Sequence, residues 1–122
     1  MSLRPELGGV APLTVNLVQR VCLGDLPTRA AQQFPHRPAV VDGDVVLTYS
    51  ELEARSNAAA AGLLDLGLQR GDVVAMLMPN SWEFLVTFFG CAKIGVVCMP
   101  VNLGVDAEGV AFQFDDARPK VV

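Results

Sequence analysis

The sequence predicts an α/β fold: a βαβαβ parallel sheet with flanking helices and a leading β-hairpin. Three observations carry that reading. Val73 to Met78 is an uninterrupted apolar run, as expected of a central parallel strand covered on both faces. Segments of helical period precede and follow it, each opening on a capping residue. Asp42-Gly43-Asp44 separates two short β-branched runs, which is a strong hairpin signal.

The elements follow in order. Residues 1–15, with Pro5, Gly8, Gly9 and Pro12, read as an irregular arm, and residues 16–122 as one folded unit. Helical spacing starts near Asn16 or Leu17, breaks around Gly24 and Pro27, and runs to Phe34. Pro35 and Pro38 end it, because the residue before a proline avoids the helical region. Ala39–Val41 and Val45–Leu47 form the hairpin. Thr48 and Glu51 then stand in capping-box spacing before a stripe of Leu52, Ser56, Ala59, Leu63 and Leu66. Gly67 is the expected left-handed stop.

After the strand at Val73–Met78, Pro79-Asn80 makes a turn, and Asn80 and Glu83 repeat the capping-box spacing. The helix they open runs to about Ile94, with Trp82, Leu85, Phe89 and Ala92 on one stripe and Phe84, Phe88 and Cys91 beside it. Apolar residues cover most of its circumference, so burial on all sides is expected. Gly95 ends it and Val96–Met99 forms the next strand. Asp106 caps a helix to Phe114, and Lys120-Val121-Val122 opens a third strand, cut short. Right-handed crossovers join the parallel strands.

The 122 residues make one domain at most. The apolar fraction of 52% is high for a soluble domain of this size. Two readings fit it: a strongly buried core, or a piece whose inner faces meet more protein and which self-associates through exposed apolar faces when alone. A net charge of −4 argues against a nucleic-acid partner, which would require a basic stripe. Cys22, Cys91 and Cys98 match no zinc spacing and read as buried thiols in a reducing, cytoplasmic compartment. No secretory signal is present. The longest apolar stretch, Phe84–Val101, carries Lys93 in its middle and is too short and too interrupted to be a transmembrane segment.

Five blocks in order carry a resemblance. They are Pro38-Ala39-Val40-Val41, Leu47-Thr48-Tyr49-Ser50-Glu51-Leu52, Gly71-Asp72-Val73-Val74-Ala75, Pro79-Asn80-Ser81 with Glu83-Phe84, and the segment from Cys91-Ala92-Lys93-Ile94-Gly95 to Pro100. Together, over roughly Asp25 to Val122, they resemble the N-terminal portion of AMP-forming acyl-CoA synthetases, in the adenylate-forming (AMP-binding) enzyme family. Pro100-Val101-Asn102 looks more like acyl-CoA synthetases than like peptide-synthetase adenylation domains, which usually have an aspartate where Asn102 stands. Val97-Cys98 departs from the usual small residue plus aromatic.

The resemblance implies a truncated N-terminal subdomain, part of the large domain of such an enzyme. It also implies a two-step reaction. A fatty or other carboxylic acid attacks the α-phosphate of ATP, with Mg, to give an acyl-adenylate and pyrophosphate; the thiol of CoA then displaces AMP. Bringing two anions together requires cations and donors at the phosphates. In the family these come from a Ser/Thr/Gly-rich loop ending in Pro-Lys-Gly, later acidic and aromatic segments, and a lysine on a mobile C-terminal domain. None of these motifs occurs here. No catalytic, cofactor-binding or metal residue is therefore carried over, and the 122 residues alone are expected to be inactive and to bind none of ATP, Mg or CoA. The expected partner is the remainder of its own enzyme. An adenylation domain loading a carrier protein is the nearest alternative, and a non-enzymatic α/β association module is the alternative of a different class.

Individual residues read as structural. Thr48, Glu51, Asn80 and Ser81 are taken as helix caps rather than substrate contacts, although Asn80 and Ser81 sit at the carboxyl end of a parallel strand, where α/β proteins bind ligands. Lys93 reads as favouring the helix dipole and the nearby solvent rather than a phosphate, and the aromatics around Trp82 as core rather than an acyl pocket. His36, in a Pro-His-Arg-Pro loop, and Asp115-Asp116, near a helix end, read as solvated. Neither G-x-x-x-x-G-K-[ST], G-x-G-x-x-G nor G-x-S-x-G is present.

Overall fold

The computed structural model of the chain describes residues 22–122. The arm over 1–15 and the start of the first predicted helix lie outside the described residues. A short 3-10 turn, Leu23–Asp25, leads into α1, Leu26–Gln33. Pro27 sits in the first turn of α1. Its missing amide costs nothing there, so it starts the helix at the expected break.

The hairpin pairs β1 (Pro38–Asp42) with β2 (Val45–Thr48), antiparallel. Gly43 takes φ 57° at the first position of the two-residue loop, where a side chain would be strained. The hairpin is a sheet of its own and does not join the parallel one. The chain then forms α2 (Tyr49–Asp65), β3 (Val73–Met76), α3 (Trp82–Ile94), β4 (Val97–Pro100) and α4 (Ala107–Ala117). Gly67 and Gly95 lie at φ 85° and 74° just past α2 and α3, as the stops required.

β3 and β4 pair in parallel, Val74 opposite Cys98 and Met76 opposite Pro100. The third strand is reduced to one parallel bridge, Val74 to Val121, on the other side of β3. Two hydrogen bonds hold it, Lys120 N to Val73 O and Ala75 N to Val121 O, both 2.9 Å. β3 is thus central, and Val74, Ala75 and Met76 are buried. It stops at Met76, two residues earlier than the apolar run predicts, because its last rung is Val101 N to Met76 O.

α2 and α3 lie between two apolar clusters. On the hairpin side Val40, Leu47, Leu52 and Val86 pack with Trp82, Leu85 and Phe89. On the sheet side Leu63, Leu68, Val74, Met76, Cys91 and Val96 pack with Phe84 and Cys98. The helices approach closely at Gly90, where a Cβ would stand 3.0 Å from Ala59 Cβ and 3.2 Å from the Ser56 carbonyl oxygen. Ser56 is fully buried there, and its hydroxyl has no hydrogen-bond partner among the described residues.

Two expectations change. α3 is not buried all round: only Val86, Gly90 and Cys91 are buried, and Trp82, Phe84, Phe88 and Phe89 are half-buried. Its apolar faces are met by the hairpin on one side and the sheet on the other, which cover most of its side chains in part and few completely. Leu66, placed on the buried stripe of α2, is 66% exposed, and Ala60 takes a buried place instead. The helix ends at Asp65, so the stripe does not continue to Leu66.

Candidate functional site

The α/β topology picks out one place for a ligand. β3 leads through α3 to β4 on one side, and β4 leads through α4 back to Val121 on the other side of β3. With right-handed crossovers, α3 and α4 lie on opposite faces of the sheet. The connections leaving β3 and β4 therefore diverge at their carboxyl ends and open a crevice at the topological switch point. A cavity of about 530 Å³ occupies it.

One wall of the crevice is Met78-Pro79-Asn80, the other is Pro100-Val101-Asn102-Leu103, and Phe84 of α3 also lines it. Asn102 folds its own loop: its side-chain oxygen accepts from Gly104 N at 2.9 Å and its carbonyl from Val105 N at 3.1 Å. Asn80 is exposed at the rim. None of these lining residues carries a charge. Two carboxamides and apolar walls can seat an uncharged group, but they cannot neutralise the phosphates of a magnesium nucleotide or activate a carboxylate. The lining does not fit ATP with Mg.

Next to the crevice, the start of α3 is capped twice. Ser81, extended at φ −156° and ψ 169°, is the N-cap, and its hydroxyl accepts from Phe84 N at 3.3 Å. Asp42, at the end of β1, accepts from Trp82 N at 3.0 Å. This corrects the Asn80–Glu83 box: the turn extends one residue further than Pro79-Asn80, and a carboxylate from the hairpin supplies the second acceptor, where the positive end of the helix dipole favours it. A second cavity of about 340 Å³ lies between the hairpin and this end of α3.

The other singled-out residues separate cleanly. Thr48 caps α2 by accepting from Glu51 N at 3.2 Å; the return bond from the Glu51 carboxylate is not among those seen for the described residues. Asp106 caps α4 by accepting from Gly109 N at 2.8 Å. His36, Asp115 and Asp116 are exposed and away from the crevice lining. No group of three or more His, Cys, Asp or Glu side chains among the described residues could hold a metal.

Lys93 differs most from its reading. Rather than facing solvent at a helix end, its Nζ donates to Glu53 Oε2 at 2.8 Å and to Thr28 Oγ1 at 3.0 Å. Thr28 Oγ1 in turn donates to Glu53 Oε1 at 2.8 Å, and Asn57 Nδ2 donates to the same oxygen at 3.2 Å. The Lys93 and Glu53 side chains are only 13% and 18% exposed. This network ties α1, α2 and α3 together. Its partners come from α1 and α2, so its place near the helix end did not determine its environment.

Two electrostatic features complete the description. Burial pushes the Cys91 thiol up to about 11, with the neighbouring Cys98 adding to the shift, and burial raises Cys98 too. Both cysteines are therefore poor nucleophiles. At the opposite end of β3 from the crevice, the Gln69 amide bonded to Asp72 at 2.7 Å lowers the carboxyl's pKa, with Lys120 at 3.2 Å helping and burial opposing. Neither the Glu53 network nor Asp42 as a cap is legible in the sequence, since both link residues about forty positions apart.

An open α/β unit with a switch-point crevice lined by uncharged residues defines the class of the fold: one part of a larger α/β domain. The AMP-binding enzyme family model matches residues 27–122, and the chain belongs to that family. It is 46% identical over 79 residues to a long-chain-fatty-acid–CoA ligase of Mycobacterium tuberculosis, covering 65% of this chain and 16% of that protein. It is 45% identical over 85 residues to a feruloyl-CoA synthase of an Amycolatopsis species, covering 68% and 17%. Among solved structures, a fatty acyl CoA synthetase of Mycobacterium tuberculosis superposes with a TM-score of 0.79 at 39% identity, over 82% of this chain and 20% of that one. The inhibitor-bound N-terminal domain of FACL13 from the same organism gives 0.80 at 40% identity, over 83% and 26%. The matched region spans about a sixth of the length of these curated relatives. No helix among the described residues is long and apolar enough to cross a membrane.

Proposed function

We propose that this chain is the N-terminal structural portion of an AMP-forming acyl-CoA synthetase, a ligase that converts a fatty or other carboxylic acid, ATP and CoA to acyl-CoA, AMP and pyrophosphate through an acyl-adenylate. The observation that carries the reading is the switch-point crevice. It lies where an α/β domain binds ligands, yet its lining bears no charge. In the complete enzyme this face forms part of the sheet-and-helix wall behind the nucleotide and acyl sites, and the groups that hold ATP and Mg and deliver CoA come from the rest of the enzyme. The three free cysteines among the described residues support a reducing, cytoplasmic setting. Exposed apolar residues such as Leu77, Val97 and Phe112 support contact with that remainder, or self-association when the chain is alone.

The test is ATP–pyrophosphate exchange with a panel of carboxylic acids. The purified 122-residue chain gives no exchange, whereas a longer polypeptide containing it does and transfers the acyl group to CoA. Exchange by the short chain would overturn the structural role. Transfer to a carrier protein rather than to CoA would favour the carrier-loading reading, and no exchange by the long form would favour the association module.

A further inference from the structure

We draw no further inference here: the strongest candidate, the cavity between the hairpin and the start of α3 lined by Val40, Asp42, Ser81 and Leu85, shares Asn80 and Phe84 with the crevice already described, and nothing in the structure shows what covers its apolar wall.

Discussion

Alanine placed at two helical glycines, Gly62 in α2 and Gly90 in α3, will change stability in opposite directions. The intrinsic gain is the same at both, about 0.8–1 kcal/mol for replacing glycine by alanine inside a helix. At Gly62 an added Cβ meets nothing within 4 Å, so the whole gain is realised. At Gly90 it meets Ala59 Cβ at 3.0 Å, and the Ala60 amide nitrogen and Ser56 carbonyl oxygen both at 3.2 Å. Two of those three atoms are backbone, so relief requires α2 to move away from α3 as a body. Overpacking of this kind costs about 1–3 kcal/mol. The Gly90→Ala variant therefore loses the gain and is destabilised by up to about 2 kcal/mol net. The intrinsic gain cancels between them, so the two variants differ by the overpacking cost, about 1–3 kcal/mol, or on the order of 1 M in urea midpoint at the slope usual for a small protein. Urea unfolding followed by fluorescence of the single tryptophan reads this directly, because Trp82 opens α3 and lies under the Arg55 guanidinium. A Gly90→Ala variant as stable as Gly62→Ala would refute the close crossing of the two helices.

Three further outcomes follow from particular contacts. Ser56→Ala removes a buried hydroxyl that has no partner among the described residues; an unsatisfied polar group costs about 1–3 kcal/mol, so this variant unfolds at equal or higher urea than the parent, and a clear loss of stability would reveal a partner for the hydroxyl. Lys93→Met leaves the largely buried Glu53 carboxylate with Thr28 and Asn57 as its donors among the described residues and lowers stability by roughly 2–3 kcal/mol, somewhat below a fully buried pair, whereas the double variant Lys93→Met, Glu53→Gln recovers part of the loss in the same assay. The lowered pKa of Asp72 stabilises the fold above the ordinary carboxylate value, and that contribution disappears as pH falls through the native value; Asp72→Asn therefore flattens the acid limb of a urea-midpoint profile below about pH 4, and an unchanged limb would show that the Gln69 bond does not favour the ionised form.

Much of the fold was legible because it rests on local chemistry. The Thr48 and Asp106 caps, the stops at Gly67 and Gly95, and the Gly43 turn all depend on a residue and its near neighbours. The central strand was legible because three successive buried positions, Val74 to Met76, leave no polar face to misread. The less local the cause, the less the sequence showed. A run of apolar residues sets no strand length, since β3 ends where β4 stops pairing with it. Composition made α3 a fully buried helix, but how much of it is covered depends on how many neighbours reach it.

The candidate site divides along the same line. Sequence alone determined the family through five ordered blocks, the alternation of strands and helices, and hence that any ligand site would lie at the carboxyl end of the parallel strands. It also placed Asn80 and Ser81 at that end. Only the tertiary structure decided that Ser81 and not Asn80 caps α3, that Asp42 joins it from the hairpin, and that Phe84 and Asn102 share one uncharged crevice. The same holds for Lys93, whose partners come from two other helices. Caps, turns and apolar runs act within a few residues and are written in the chain. A side chain's partner from another element depends on where the packing of helix on helix and helix on sheet brings that element, and no local pattern records it.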